Sequence, residues 1–145
     1  MEIAFVMGFF CVPLLFGTAD IASVIYNSIE ISNAAHAGVF AGIPTSADAE
    51  NTAAMTAAAQ AEASDFPAAS VSVTPTSFWV CNTAQGGTQY STQAAANTAC
   101  ASPAYALQFV QVTVSAPVTL PFHCCGLPAT ITLTRTSVME REGQQ

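Results

Sequence analysis

The 145-residue chain has no lysine, and its basic residues are Arg135 and Arg141 alone. Against nine acids they leave a net charge of -7, and only 8% of residues are charged. Two arginines cannot build the cationic surface that phosphate neutralisation needs, which excludes nucleic acid as a partner. The scarcity of charge does not mean disorder, because 52% of residues are hydrophobic and the mean hydropathy is +0.46. Disordered chains lie at the opposite extreme. An ordinary soluble globule is also a poor fit, since it keeps a charged, patch-free exterior. Catalytic signatures are missing as well: the sequence has no G-x-S-x-G, no glycine-rich phosphate loop and no carboxylate pair at interpretable spacing. His123-Cys124-Cys125 comes nearest to a metal or redox motif but matches neither zinc-ligand nor haem-attachment spacing. The expectation is a non-enzyme with no cofactor and no metal, hiding surface in a membrane, in copies of itself, or in both.

What the chain does have is a long apolar start. No charge lies between Glu2 and Asp20, and the apolar run resumes after Asp20. About 20 such residues cross a bilayer's hydrocarbon as a helix, so residues 3 to about 25 form a transmembrane candidate. Neither Met1 nor Glu2 is basic, which argues for a retained segment over a cleaved secretory signal. Helical spacing of Ile21, Val24, Ile25, Ile31 and Val39 continues to Gly42, with Pro44 beyond as a stop. Such a helix is about 60 Å long, twice the hydrocarbon thickness, so half of it must pack on protein. Small residues such as Ala34, Ala35 and Gly38 suit close helix approach. Pro13 lies inside the helix, between Gly8 and Gly17, and predicts a kink or unwound turn near Phe9. Cys11 reads as a buried free thiol acting as a small hydrophobe. Glu2 is costly in an apolar setting unless paired with an α-amino group, its own or a neighbour's; at a membrane interface the helix dipole supports it instead.

Residues 45 to 64 predict a second, alanine-rich helix with Met55 as its one large side chain, ended by Phe66-Pro67. Its acids Asp48, Glu50, Glu62 and Asp65 read as a solvated face. Beyond it the pattern becomes β. Residues 71 to 74 and 77 to 80 predict short strands, 105 to 116 the longest and 130 to 138 the last, with Thr130, Thr132, Thr134 and Thr136 as a polar ladder. In the long strand the apolar phase changes from Leu107 and Phe109 to Val110 and Val112, which predicts a bulge. A sheet this small is marginal alone. Cys81, Cys100, Cys124 and Cys125 therefore read as disulfide staples in an exported half. Adjacent cysteines favour separate partners, so Cys81 and Cys100 are expected to bridge to Cys124 and Cys125; a Cys81 to Cys100 bridge with a vicinal or reduced pair is the alternative. Residues 82 to 99 read as a polar, uncharged loop. The fold class is α+β, in three parts: 1–42 as the membrane or core helix, 43–67 as second helix and linker, and 68–145 as a disulfide-stapled β-rich domain.

Three residue series in order carry a resemblance: Glu2-Ile3-Ala4-Phe5; Val12-Pro13-Leu14-Leu15-Phe16-Gly17 with the acid Asp20; and Asn33-Ala34-Ala35-His36-Ala37-Gly38. With the β-rich end from Gly126 to Glu140, they resemble the TadE-like pseudopilins, relatives of type IV pilins assembled by the tight-adherence (Tad) machinery. In that family a glycine precedes the cleavage site ahead of the glutamate, whereas here Met1 alone precedes Glu2. The resemblance implies a pilin-like fold, a membrane-inserted precursor cut by a prepilin peptidase, and passage through pilus assembly machinery. It also implies helical packing with copies of itself in a cell-surface filament, with Glu2, Phe5, Pro13, Gly17 and Asp20 as assembly residues. A single-span envelope-anchored minor pseudopilin, or an anchored binding domain that does not polymerise, is the alternative.

Overall fold

A computed structural model describes residues 2–82, 87–122 and 128–141, with Glu2–Met7 as backbone only. The chain is α+β, and its longest element is helix α1 (Glu2–Gly42), which runs without interruption through Pro13. The unwound turn expected at Pro13 does not form. Lost intrahelical bonding at one proline is tolerated inside a long helix whose neighbouring turns hold it.

After α1 the expected single helix is split into α2 (Ser46–Glu50) and α3 (Thr52–Glu62). Asn51 is the cause. Its backbone closes α2 through Asp48 O, while its side-chain oxygen accepts from Ala54 N at 3.1 Å and starts α3. Asparagine competes with the backbone for such bonds and so favours caps over helix interiors. At the start of α2, Thr45 Oγ1 accepts from Asp48 N and donates to Asp48 Oδ2, so Asp48 serves as a cap partner.

Three antiparallel strands follow in the order β1-β2-β3: β1 (Ser72–Cys81), β2 (Ala106–Thr119) and β3 (Thr130–Glu140). The two short strands expected before residue 81 are one, with Pro75 opposite Val112 inside it. β1 is an edge strand, where a proline's missing N–H can point away from the ladder. The register between β1 and β2 is continuous, Ser77 opposite Val110 and Phe78 opposite Phe109, so the expected bulge is absent. The apolar phase changes because β2 is apolar on different faces at its two ends. Val110, Val112, Val114, Ala116 and Val118 are buried on one face. Leu107 and Phe109 lie on the other, where Phe109 stacks on Phe78 at 5.7 Å between ring centres. With Val80 and Val138 they line a groove of about 530 Å³ on that outer side of the sheet. The rest of the outer face is hydroxyl-rich, with Thr113 bonded to Thr136 and Thr134 to Ser115.

On the inner face the second half of α1 packs on β2 and β3 and α3 packs on β1, and α1 also packs directly on α3. Ile31, Ala34, Ala35 and Val39 of α1 meet Met55 and Ala59 of α3 and the valines of β2 in one core. The small residues of α1 thus serve close packing within this chain. At Gly38 a Cβ would stand 3.0 Å from Val112 Cγ1 and 3.2 Å from Ala59 Cβ.

The stretch expected to be a polar loop contains a helix, α4 (Gln93–Ala99), capped by Thr92. It brings Cys100 back over the end of β1, where Cys100 bonds to Cys81. The expected pairing of these two with Cys124 and Cys125 is therefore corrected: α4 supplies the return path that a loop reading lacks. Cys124 and Cys125 lie outside the described residues, as does His123. Trp79, Ala96 and Cys100 form a second, smaller core around this bridge, with Cys81, Tyr90 and Ala104 against it. Tyr90 also exchanges both backbone hydrogen bonds with Trp79 at 2.8 Å, covering the outer edge of β1 there.

Candidate assembly surface

Helix α1 changes environment at Asp20. From Gly8 to Phe16 every residue is exposed, including Phe9, Phe10, Leu14 and Leu15 at 64–70%. Cys11 is a free, exposed thiol in this stretch, so among the described residues the chain itself does not supply the burial expected for it. The helix from Gly8 onward is long and apolar enough to cross a membrane. Signal sequences share that property. From Glu2 to Ala19 the helix rises about 27 Å, close to the hydrocarbon thickness.

At the junction stands Asp20, fully buried, whose Oδ1 accepts from the backbone N of Phe122 at 3.0 Å. One turn earlier Phe16 stacks on the Phe122 ring at 4.6 Å between centres. Leu120, also buried, donates its N–H to Ala129 O at 2.9 Å. Together these contacts clasp the connection after β2 onto α1 at the level where the helix leaves the domain. Removing the carboxylate with Asp20→Ala leaves the Phe122 N–H unsatisfied in a part-buried site, which costs about 2 kcal/mol. Asp20→Asn keeps an acceptor and should cost less than half of that in urea unfolding; equal losses for the two variants would contradict the clasp.

Of the other expected assembly residues, Pro13 lies in the exposed half and Gly17 is half-exposed, with no described residue within 4 Å of a Cβ placed at Gly17. Glu2 and Phe5 lie in the first turns of α1, and their side chains are outside the described residues. The sequence reading missed the Asp20–Phe122 and Phe16–Phe122 contacts. They join residues more than 100 positions apart, and no periodicity reports such a pairing.

On the domain side of Asp20 an exposed apolar stripe continues along α1 through Ile21, Ile25 and Ile29, each more than half exposed, with Phe40 further on. The spacing of three isoleucines at i, i+4 and i+8 keeps them on one face. Beside the stripe, toward α3, Tyr26 donates to Asp65 Oδ2 at 2.9 Å and Glu30 Oε1 accepts from Asp65 N at 2.8 Å. Glu62, Asn33 and Ser64 complete this acidic hollow. Partial burial holds the Glu30 carboxyl above its ordinary value of 4.5, reinforced by the negative charges of Asp65 and Glu62 and partly offset by the Asp65 N–H. Glu30 lies outside the lipid-length segment. A carboxyl whose pKa is raised by folding favours the folded state while protonated. Stability should therefore fall as pH rises from about 4.5 through the raised value, and Glu30→Gln should flatten that fall in thermal melts. On the opposite side of the stripe, Arg135 donates to Thr134 O and Ser28 Oγ. Two residues further along β3, Ser137 shares a 3.0 Å hydrogen bond with His36 Nδ1, so His36 fastens α1 to the sheet.

Fold and surface together define an α+β protein with a stalk-like apolar helix and a disulfide-bonded three-stranded domain. No protein-family model, no curated protein and no solved structure matches the chain.

Proposed function

We propose that this chain is a structural subunit of an extracellular, type IV pilus-like filament of the Tad class, polymerising through α1 with its β-domain outward. The observation that carries this reading is the division of α1: an apolar half exposed on every side, then a half fixed to the domain that still presents Ile21, Ile25 and Ile29. Lipid covers the first surface in a membrane-inserted precursor; only protein covers the second away from lipid. Copies of the same chain cover both in a filament. The pilin-like series from Glu2 to Gly38 supports the reading, and with it processing by a prepilin peptidase, delivery by pilus assembly machinery and a cell-surface location. The outer face of the sheet, with its groove beside Phe78 and Phe109, is then the surface offered for adhesion.

A second reading is a single-span, envelope-anchored minor pseudopilin or binding domain. The free half of α1 favours it, because lipid alone suffices to cover residues 8 to 16. Electron microscopy of material sheared from cells separates the two. Recovery of this chain in filaments is the expected result; recovery only from membranes overturns the polymer reading.

A further inference from the structure

The exposed face of α1 has unlike borders. Toward α3 it is bounded by Glu30, Glu62 and Asp65. Toward β3 it is bounded by Arg135, one of only two basic residues in the chain, exposed and hydrogen-bonded to two neutral oxygens. At about 100° per residue, Glu30 and the Arg135-contacting Ser28 stand roughly 160° apart round α1, and Ile25 and Ile29 occupy the arc between them.

We propose that a second copy of the chain docks on this face, side by side and parallel, so that Arg135 of one copy lies against the Glu30, Glu62 and Asp65 flank of the next and Ile25 and Ile29 are covered between them. The inference rests on the subunit reading above and names the contact that reading leaves unspecified.

Three observations converge on this occupant. With a net charge of -7, copies repel one another unless a cation meets an acidic patch, and Arg135 is a cation bordering the uncovered apolar face. Burial raises the Glu30 carboxyl above its ordinary value and the charges of Asp65 and Glu62 add to that, so a guanidinium arriving from outside offsets the crowding of negative charge on this flank. Finally, parallel copies whose apolar halves point the same way each offer acid to one neighbour and Arg135 to the other. Such a contact is heterologous: each copy keeps a complementary flank open for the next, so the contact can repeat from copy to copy, as a filament requires.

The test uses the full-length chain expressed in cells, with sheared filaments quantified against the wild type. Arg135→Glu replaces an attraction with a repulsion, and for a partly exposed pair the filament yield should fall about tenfold. Glu62→Arg alone should reduce it in the same direction. The double variant Arg135→Glu with Glu62→Arg restores opposite charges with the flanks exchanged, and its yield should return to within about twofold of the wild type. Arg135→Gln keeps a donor for Ser28 and Thr134 but no charge. It should lose about threefold while melting at the wild-type temperature, which separates lost assembly from lost folding. Filaments from wild-type cells with no loss in the single variants, or no recovery in the double variant, overturn this contact and leave the subunit reading standing. Chemical cross-linking that stops at the dimer overturns the repeating arrangement. Absence of filaments from wild-type cells overturns the subunit reading and this contact together.

Discussion

Gly38→Leu is expected to destabilise the domain by roughly 3 kcal/mol or more, more than any other single substitution considered above. A Cβ at this position already meets Val112 Cγ1 at 3.0 Å, Ala59 Cβ at 3.2 Å and the Met55 carbonyl oxygen at 3.2 Å. The first neighbour is a β-branched side chain in the middle of β2, buried and opposite Pro75 on one side and Ser137 on the other. The second and third belong to the helix α3, so they give way only if the whole helix moves. Leucine adds three further carbons beyond that Cβ, and they have no vacancy to enter without parting α1 from α3 and the sheet. Gly38→Ala is the internal control. Its single methyl is tight, costing about 1 kcal/mol of crowding, while alanine's helix propensity returns a similar amount. The alanine variant should therefore unfold near the wild-type midpoint and the leucine variant far below it. Denaturant titration of the full chain in mild detergent measures both, and a leucine variant within about 1 kcal/mol of wild type would show that the α1–α3 contact is looser than these distances.

Much of this arrangement is legible in the sequence because it follows from local pattern. Helix α1 and its end at Gly42 come from an apolar run closed by glycine and a nearby proline, and β2 and β3 from their alternation. The errors have local causes too. A single asparagine breaks a continuous alanine-rich helix, because Asn51 caps in both directions. The phase change at Phe109 and Val110 is ambiguous by pattern alone, since a bulge and a strand that is apolar on opposite faces at its two ends give the same order of residues. Only the partners decide: Phe78, Val80 and Val138 lie across from or beside Leu107 and Phe109, and they make the outer face apolar at that end. The exposed stripe of α1 is only partly legible: the helical spacing marks Ile21 and Ile25 but groups them with Ile31 and Val39, which are buried in the core, and passes over Ile29. The stripe's unlike borders arise from contacts between α1 and chain segments about 35 and 107 residues away, at Asp65 and Arg135.

Replacing Cys81 and Cys100 together with serine is expected to cost about 3 kcal/mol, and to cost it locally first. The bridge spans a sequence separation of 19, a loop length for which closure entropy alone gives a value of that size. Among the described residues, the loop it closes is otherwise tied to β1 by the backbone pair of Tyr90 with Trp79. Helix α4 is seven residues long, far below the length at which a helix persists by itself, and its one fully buried residue is Ala96. The small core that includes Trp79 and Ala96 shares no residue with the larger core of Ile31, Val39, Met55 and Val112. Loss of the bridge should therefore release α4 and expose Trp79 while the sheet and α1 stay joined. Trp79 is the only tryptophan, so its emission reports that cluster without ambiguity. In the double serine variant the fluorescence transition should move to lower denaturant than the loss of ellipticity, whereas in the oxidised wild type the two should coincide. A non-reduced digest linking the peptides of Cys81 and Cys100 is the companion result. Recovery of either cysteine joined to Cys124 or Cys125, or coincident transitions in the variant, would mean that the strand end is held by other bonds and that α4 does not depend on this one.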